Sequence, residues 1–287
     1  MNAVPWQRVA VTGAGTMGRG IAQSIALAGY KVILHDVSTE ALKQSLKQIH
    51  RSIDKGVALE KVSESQADLA KAALSVTTEL EAFDAVDLVI EAVPEDKEIK
   101  KDLFARLDKI AREDAVFASN TSSLSINVLA GTTQRAARFL GLHFFNPPHI
   151  MKLVEVIRAD DTGDEVVESA TAFVKSLQKI PVHCKDTPAF IVNRVARPYY
   201  GEAFRMLGEG QATIETIDSL MRSIGFPMGP FELVDLVGCD VNYAVTQSVY
   251  DAYFHDPKYR PHPIQRRMVE SGRLGRKTGR GFYKYGK

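Results

Sequence analysis

In the first two-thirds of the chain, short runs rich in β-branched residues alternate with longer segments whose apolar positions recur at helical spacing. This alternation is typical of a parallel sheet whose strands are connected by helices. Helices are expected between several of the strands, among them Ile21–Ala28 and Asp96–Ile110. The predicted strands are Arg8–Val11, Lys31–His35, Leu74–Val76, Asp87–Ala92, Val116–Ser119, Phe139–His143 and Leu153–Ile157.

The pattern changes after about residue 186, where helical spacing continues without strands between the helices. Helices are predicted at 190–207, 214–224, 232–237 and 241–254, and a strand only at 281–283. Residues 38–73 are longer than one crossover helix requires, so they are expected to form two helices of an arm. The predicted fold class is α/β, with a Rossmann-type, mostly parallel sheet domain at 1–186. An all-helical C-terminal domain is predicted at 187–287.

The charge balance and the two cysteines narrow the class of protein. The 287 residues include 36 basic and 35 acidic ones, a net charge of +1, which gives no electrostatic reason to expect a nucleic-acid or membrane partner. Cys184 and Cys239 form no CxxC or metal-ligand pattern, so no metal is expected and a reducing compartment is indicated. No apolar run approaches the ~20 residues that span a bilayer, and no targeting segment is recognised before the first strand. A cytoplasmic location is therefore expected.

A glycine-rich turn follows the first strand and opens the first helix. Gly13-Ala14-Gly15-Thr16-Met17-Gly18 is a GxGxxG pattern, and Asp36 ends the second strand about 20 residues later. Together these features predict a dinucleotide site: the turn and helix N-terminus receive the pyrophosphate, and the carboxylate accepts hydrogen bonds from the ribose hydroxyls. A carboxylate repels a 2′-phosphate, and no arginine follows Asp36 directly, so NAD is predicted rather than NADP.

His143 is the candidate catalytic base because it ends a predicted strand, where ligands bind in open α/β sheets. From the residue alone, a packed core histidine is an equal alternative. Glu155 lies in the otherwise apolar strand Leu153–Ile157 and is the candidate partner of the imidazole, although a surface carboxylate on an edge strand also fits. The polar segment Ser119–Ser125 either polarises a substrate oxygen or caps the helix that follows.

Several sequence blocks resemble those of the 3-hydroxyacyl-CoA dehydrogenases, in particular the short stand-alone form also called 3-hydroxybutyryl-CoA dehydrogenase. The resemblance extends over nearly the whole chain and the blocks occur in the same order. They are VTGAGTMGRGIA at 11–22, SNTSSLSI at 119–126, GLHFFNP at 141–147, MKLVEVI at 151–157, KDTPAFIVNR at 185–194, GFPMGPFELVDLVG at 225–238 and KTGRGFYKY at 277–285.

The resemblance implies a role for each matching residue. His143 is implied as the general base and Glu155 as its orienting partner. Ser122 is implied as a catalytic residue that hydrogen-bonds the substrate 3-oxygen and the histidine, and Asn193 as one that contacts the same cluster and holds the substrate. Further matching positions are implied to bind NAD or CoA: Glu95, Lys100, Asn120 and Asn146 lie near the cofactor, and Lys55 of the arm contacts the CoA phosphates. Without the resemblance, Lys55 and Lys100 are interpreted as ordinary surface lysines.

Two departures from the family pattern bear on these implications. Thr12 stands where an apolar residue usually precedes the first glycine, a small change that leaves the turn intact. Asp54 stands where relatives often have a second lysine, so the basic surface for CoA is expected to be weaker.

The resulting hypothesis is NAD-dependent oxidation of a (3S)-3-hydroxyacyl-CoA, as in fatty acid β-oxidation, by a homodimer associated through the helical domain. Alternatives are a 3-hydroxyadipyl-CoA dehydrogenase of aromatic catabolism, a dehydrogenase of a free hydroxy acid, and an NAD-binding protein without activity. Arg197 or Arg205 is a candidate for binding a distal substrate carboxylate, but either also fits an ordinary surface charge.

Overall fold

The computed structural model describes residues 6–286. The chain divides into two compact units, with the division between Thr187 and Pro188. Each unit encloses its own buried apolar cluster, the first around the sheet and the second among the C-terminal helices.

The first unit is built on a sheet of eight strands in the order β3-β2-β1-β4-β5-β6-β7-β8. All neighbouring strands are parallel except β6 and β7, which are antiparallel. The mostly parallel Rossmann-type sheet is thereby confirmed. The strands are β1 Arg8–Thr12, β2 Lys31–His35, β3 Leu74–Thr77, β4 Leu88–Glu91, β5 Val116–Ser119, β6 Phe139–Phe144, β7 Leu153–Arg158 and β8 Ile180–Lys185.

The strand β8 is absent from the sequence prediction. It is an edge strand whose residues are exposed or half-buried along its whole length, so it lacks the apolar run that identifies the central strands. The central strands β4 and β5 are buried at every position, as expected for a sheet covered on both faces.

The helices of the first unit follow the strands closely. The helix after β1 begins at Thr16, so its predicted start at Ile21 is wrong: the last three residues of the glycine-rich segment, Thr16–Gly18, already belong to the first helical turn. Residues 38–73 form two helices, each capped by a serine, Ser38 or Ser63. The helices are α1 Thr16–Leu27, α2 Thr39–Ala58, α3 Glu64–Ala73, α4 Lys97–Ile110, α5 Ile126–Ala130 and α6 Asp164–Ser176.

The second unit is helical, as predicted. The strand expected at 281–283 is wrong: those residues form bends between isolated bridges at Arg280 and Lys284, where the backbone of Phe282 and Tyr283 donates to the carboxylate of Asp235. Across residues 6–286, every helix is too short or too polar to cross a membrane. The helices are α7 Val192–Gly208, α8 Ile214–Ser223, α9 Pro230–Val237, α10 Cys239–Ala252 and α11 Pro263–Glu270.

Candidate active site

The glycine-rich turn requires glycine at its first and third glycine positions. Gly13 has φ +100°, and a Cβ added there would lie 2.4 Å from the carbonyl oxygen of Ala92. A Cβ on Gly18 would lie 1.7 Å from the carbonyl oxygen of Gly13, so helix α1 packs directly on the turn. The structure therefore brings the start of α1 to the carboxyl end of β1, which is the geometry that presents backbone N–H groups to a phosphate.

The space next to Gly15 is open, and a carboxylate is fixed beside the turn. A Cβ on Gly15 would meet no atom within 4 Å, so the protein leaves space for a ligand next to the backbone at this position. The Asp36 carboxylate accepts hydrogen bonds from the backbone N–H of Ala14 (2.8 Å) and of Ser38 (2.9 Å), which fix it beside the turn. Thr16 is exposed and Met17 half-buried at the start of α1.

The departure at Thr12 is accommodated within the core. Its hydroxyl lies 2.9 Å from Nδ1 of His35, and both side chains are buried. A buried hydroxyl without a partner costs free energy, so this pair explains how a polar residue is tolerated before the first glycine.

His143 and Glu155 form a buried pair across two strands. They lie directly opposite each other in the antiparallel pairing of β6 with β7, and the two residues are 4% and 0% exposed. Nδ1 of His143 lies 2.6 Å from Oε2 of Glu155. A carboxylate only accepts, so Nδ1 carries the proton and Nε2 remains available as a base. The interpretation of Glu155 as a surface carboxylate is wrong, because β7 lies between two strands and this side chain is fully buried.

Ser122 lies at the other nitrogen of the imidazole. Its hydroxyl is 3.2 Å from Nε2 of His143, and the side chain is half-buried. The neighbouring Asn120 accepts a hydrogen bond from the backbone N–H of Phe144 (2.8 Å), the residue after His143. The segment after β5 is thus attached to the end of β6, which positions the serine next to the histidine. Capping is done by Ser125, which accepts from Val128 N–H at the start of α5.

Glu95 holds the same serine segment from the opposite side. Its carboxylate accepts hydrogen bonds from the Thr121 hydroxyl (2.6 Å) and from the backbone N–H of Ser122 (2.8 Å), and it forms an ion pair with Lys100 at 3.1 Å. Burial acts to raise the pKa of Glu95, but Lys100 and these hydrogen bonds outweigh it and hold the pKa below its ordinary value. Glu95 therefore stays ionised and orients the segment that carries Ser122.

Lys100 is buried, so its interpretation as a surface lysine is wrong. Only 1% of its side chain is exposed, and its ammonium group lies 2.6 Å from the fully buried carboxylate of Glu91. Glu91 also accepts from the Ser119 hydroxyl (2.5 Å), and burial raises its pKa despite the lysine. Glu91 was not predicted as a site residue, although a carboxylate at the end of an apolar strand is a signal that the sequence carries.

The arm carries Lys55, which is exposed at the edge of a cavity of about 630 Å³. Lys61, His149 and Lys179 line the same cavity. Lys179 is buried and donates to the backbone carbonyls of Pro148 and Met151, and burial lowers its pKa. Asn146 is exposed after β6.

Asp54 does not present a free negative charge next to Lys55. Its carboxylate forms an ion pair with Lys71 of α3 at 2.5 Å, and this ion pair connects α2 with α3. Lys71 therefore neutralises the negative charge that Asp54 introduces next to Lys55.

In the second unit, Asn193 is half-buried in the first turn of α7. Arg197 lies one helical turn later and is buried, with 6% exposed. Arg205, near the end of the same helix, is exposed and forms an ion pair with Glu202 at 2.6 Å. The interpretation as surface charge is therefore correct for Arg205 and wrong for Arg197.

The arrangement in the first unit supports proton transfer. An imidazole with one nitrogen fixed by a carboxylate and the other facing a hydroxyl is the geometry of a general base with its orienting group. The glycine-rich turn and Asp36 lie at the carboxyl ends of the neighbouring parallel strands β1 and β2, where ligands bind in such sheets.

Two family models match the chain. Residues 8–187 match the 3-hydroxyacyl-CoA dehydrogenase NAD binding domain, and residues 190–285 match the 3-hydroxyacyl-CoA dehydrogenase C-terminal domain.

Individual relatives agree with these matches. A 3-hydroxyadipyl-CoA dehydrogenase of Escherichia coli is 46% identical over 278 residues, which are 96% of this chain but 58% of that longer protein. A 3-hydroxybutyryl-CoA dehydrogenase of Bradyrhizobium diazoefficiens is 41% identical, with 97% of this chain and 95% of that protein covered. The crystal structure of (S)-3-hydroxybutyryl-CoA dehydrogenase from Ralstonia eutropha superposes with a TM-score of 0.94 at 43% identity, covering 98% of this chain and 100% of that one.

Proposed function

The chain belongs to the NAD-dependent 3-hydroxyacyl-CoA dehydrogenase family, and from that premise we propose that it oxidises the 3-hydroxyl group of a (3S)-3-hydroxyacyl-CoA and catalyses the reverse reduction. The observation that carries the proposal is the aligned set of Ser122, His143 and Glu155, in which hydroxyl, imidazole and carboxylate follow one another within hydrogen-bond distance.

In this mechanism, His143 removes the proton of the substrate hydroxyl through Nε2. Bound NAD supplies the hydride acceptor. Glu155 stabilises the imidazolium as it forms, because the pair is buried and the low local dielectric strengthens its charge interaction. In the reverse direction, the protonated imidazole and the Ser122 hydroxyl donate to the ketone oxygen and return the proton to it.

The binding residues support the same function. The backbone around Gly15 is proposed to hold the pyrophosphate and Asp36 the adenine ribose. Glu95 and Lys100 are proposed to lie at the nicotinamide end, together with Asn120 and Asn146. Asn193 is proposed to bind the substrate, on the strength of the family motif that it shares.

The CoA moiety is proposed to contact the arm. Lys55 and Lys61 bring two positive charges to the cavity beside α2, on a protein whose net charge is only +1. Phosphate groups of CoA are anions that such lysines attract, although as point charges rather than as bidentate partners.

The alternatives differ in the acyl group and in activity. A free hydroxy acid would make no use of Lys55, and a protein without activity would have no need for the buried His143–Glu155 pair. The name of the Escherichia coli relative raises a dicarboxylic acyl chain as a further possibility for the substrate.

An NADH oxidation assay separates these alternatives. With acetoacetyl-CoA as the ketone we expect turnover, and with free acetoacetate we expect kcat/KM to fall by at least about 100-fold, because the binding energy of CoA is lost. Equal rates with the two ketones would favour a hydroxy acid dehydrogenase. No oxidation of NADH with any 3-ketoacyl-CoA would overturn the proposal.

We also propose that the chain forms a homodimer through its helical unit and acts in the cytoplasm. The proposal of a dimer is supported by the number of large apolar side chains of that unit that are more than 40% exposed, because exposed apolar surface is often covered by a second chain. They are Val195, Leu220, Ile224, Phe226, Leu236, Val237, Val241 and Phe254.

A further inference from the structure

Arg197 is a buried cation surrounded by neutral acceptors. Its guanidinium donates to the carbonyl oxygen of Asn242 (3.1 Å), the hydroxyl of Thr246 (3.1 Å) and the carbonyl oxygen of Asn193 (3.3 Å). Among residues 6–286, no carboxylate forms an ion pair with it. Burial lowers the pKa of Arg197 to about 10, so the group is still a cation at neutral pH.

Asn242, whose backbone carbonyl accepts from Arg197, carries a side-chain donor that lacks an acceptor within the described part of the chain. The amide nitrogen Nδ2 of Asn242 is buried and has no hydrogen-bond partner among residues 6–286. The orientation of this amide follows from its neighbours: Gln265 accepts from the backbone N–H of His262 through Oε1, so its Nε2 must donate to Oδ1 of Asn242 at 2.7 Å. Reversing the Asn242 amide would place two NH₂ groups against each other.

The cluster of Arg197, Asn242, Thr246 and Gln265 therefore has more donors than acceptors. A buried cation is costly unless it is paired, and a buried donor without an acceptor also costs free energy. A carboxylate removes both costs at once, because its two oxygens accept from a guanidinium and a neighbouring N–H.

We propose that this cluster, which we name the Arg197 cluster, binds the terminal carboxylate of the acyl chain, so that the substrate is a 3-hydroxydicarboxylyl-CoA. The inference rests on the proposed function. It assigns a carboxylate-binding site to the second unit, built from α7, α10 and α11.

The spacing along α7 matches a short dicarboxylic chain. Arg197 lies four residues after Asn193, which is about 6 Å along a helix and on the same face. The side chain leans back toward the N-terminus, as its bond to the carbonyl oxygen of Asn193 requires. In a six-carbon acyl chain the terminal carboxyl carbon lies three bonds beyond C3, which is about 4 Å end to end in the extended chain. An acyl group whose C3 oxygen is near Asn193 therefore reaches the guanidinium with its far end.

The carboxylate could instead come from an Asp or Glu of a second copy of the chain. The substrate is favoured because the cluster shares the helical face of the residue proposed to bind the acyl group. A contribution from a second copy predicts that loss of Arg197 weakens association of the subunits, which the test below includes.

The test compares two CoA thioesters of equal length, adipyl-CoA and hexanoyl-CoA, by isothermal titration calorimetry. Neither ligand carries a 3-oxygen, so binding is measured without turnover. We expect adipyl-CoA to bind the wild-type protein about 10- to 100-fold more tightly, the range for hydrogen bonds to a charged group. Failure of the proposed function shows up separately, as absence of NADH oxidation with 3-ketoacyl-CoA. Equal affinity for the two ligands would overturn the inference.

Substitutions then test which residues cause the preference for adipyl-CoA over hexanoyl-CoA. Arg197→Met should abolish it, and Arg197→Lys should retain part of it, because lysine keeps the charge but loses the bidentate fork. Arg205→Met is the matched control on the same helix and should keep the wild-type preference. Asn242→Asp supplies an internal carboxylate to the guanidinium and should also abolish the preference, in a protein that keeps Arg197.

Two results would contradict the assignment. One is a preference for adipyl-CoA that survives both Arg197→Lys and Asn242→Asp unchanged. The other is a variant that becomes monomeric in sedimentation while its preference for adipyl-CoA is retained, which would assign the carboxylate to a second copy.

Discussion

At the scale of single residues, the site depends on two buried pairs of ionisable side chains. His143 pairs with Glu155 and Lys100 with Glu91, and in each pair both side chains are at most 5% exposed. A buried pair adds little net stability, but removing one partner leaves the other charge buried without compensation. Such pairs therefore maintain the geometry around Ser122 more than they increase stability.

The pair of Lys100 with Glu91 allows a test of stability. Lys100→Met leaves two carboxylates, those of Glu91 and Glu95, without their cation and should lower the free energy of unfolding by about 3–5 kcal/mol. Urea denaturation monitored by circular dichroism measures this. Lys101→Met, a change at the neighbouring position with an exposed ion pair to Glu98, should alter it by less than about 0.5 kcal/mol. Equal effects of the two substitutions would show that burial of the Lys100 ion pairs does not increase their effect on the free energy of unfolding.

At the scale of elements, the sequence allowed prediction of the parts whose pattern is local. The central strands, the glycine-rich turn and Asp36 at the end of β2 follow from β-branched runs and from a fingerprint with fixed spacing. The edge strand β8 could not be recognised from the sequence. Its residues are exposed or half-buried, so it has no continuous run of apolar residues like those of the central strands.

The tertiary partners were harder to predict than the elements. The pairing of His143 with Glu155 was expected from a carboxylate in an apolar strand, but the register that sets them opposite depends on the antiparallel direction of β7. The contact of Asn120 with the backbone of Phe144 and the burial of Arg197 involve residues far apart in sequence, and no local pattern reports them.

The junction of β1, β2 and α1 predicts the choice of cofactor. Like charges placed side by side cost several kcal/mol, so Asp36 should make kcat/KM at least about 100-fold higher with NADH than with NADPH. Steady-state kinetics with both cofactors measures the ratio. Asp36→Ser should reduce the ratio, while Asp68→Ser on the exposed surface of α3 should leave it unchanged. Equal efficiency of the two cofactors in the wild-type protein would refute the role given to Asp36.

At the scale of the whole molecule, the two units carry different parts of the proposed function. The first contains the cofactor turn and the His143–Glu155 pair, and the second contains Asn193 and the Arg197 cluster. The second unit also exposes the apolar side chains that suggest association of two chains.

Sedimentation velocity tests this association. We expect a species of twice the 31.6 kDa chain mass, and Ile224→Asp should shift it toward the monomer because a buried charge disfavours an apolar interface. Val37→Asp, at a position of the first unit that is 86% exposed, should leave the species unchanged. A wild-type protein that sediments as a monomer at micromolar concentration would contradict the proposed dimer.

The central claim is that His143 transfers the proton in the oxidation of a 3-hydroxyacyl-CoA. Its most direct test is the turnover of acetoacetyl-CoA by His143→Ala, with NADH affinity measured in parallel by fluorescence titration and with His183→Ala, an exposed histidine on β8, as the control. We expect His143→Ala to lower kcat by about 10²–10⁴-fold with little change in NADH affinity, and His183→Ala to behave as wild type. A His143→Ala protein that keeps wild-type turnover would contradict the role of His143 in proton transfer.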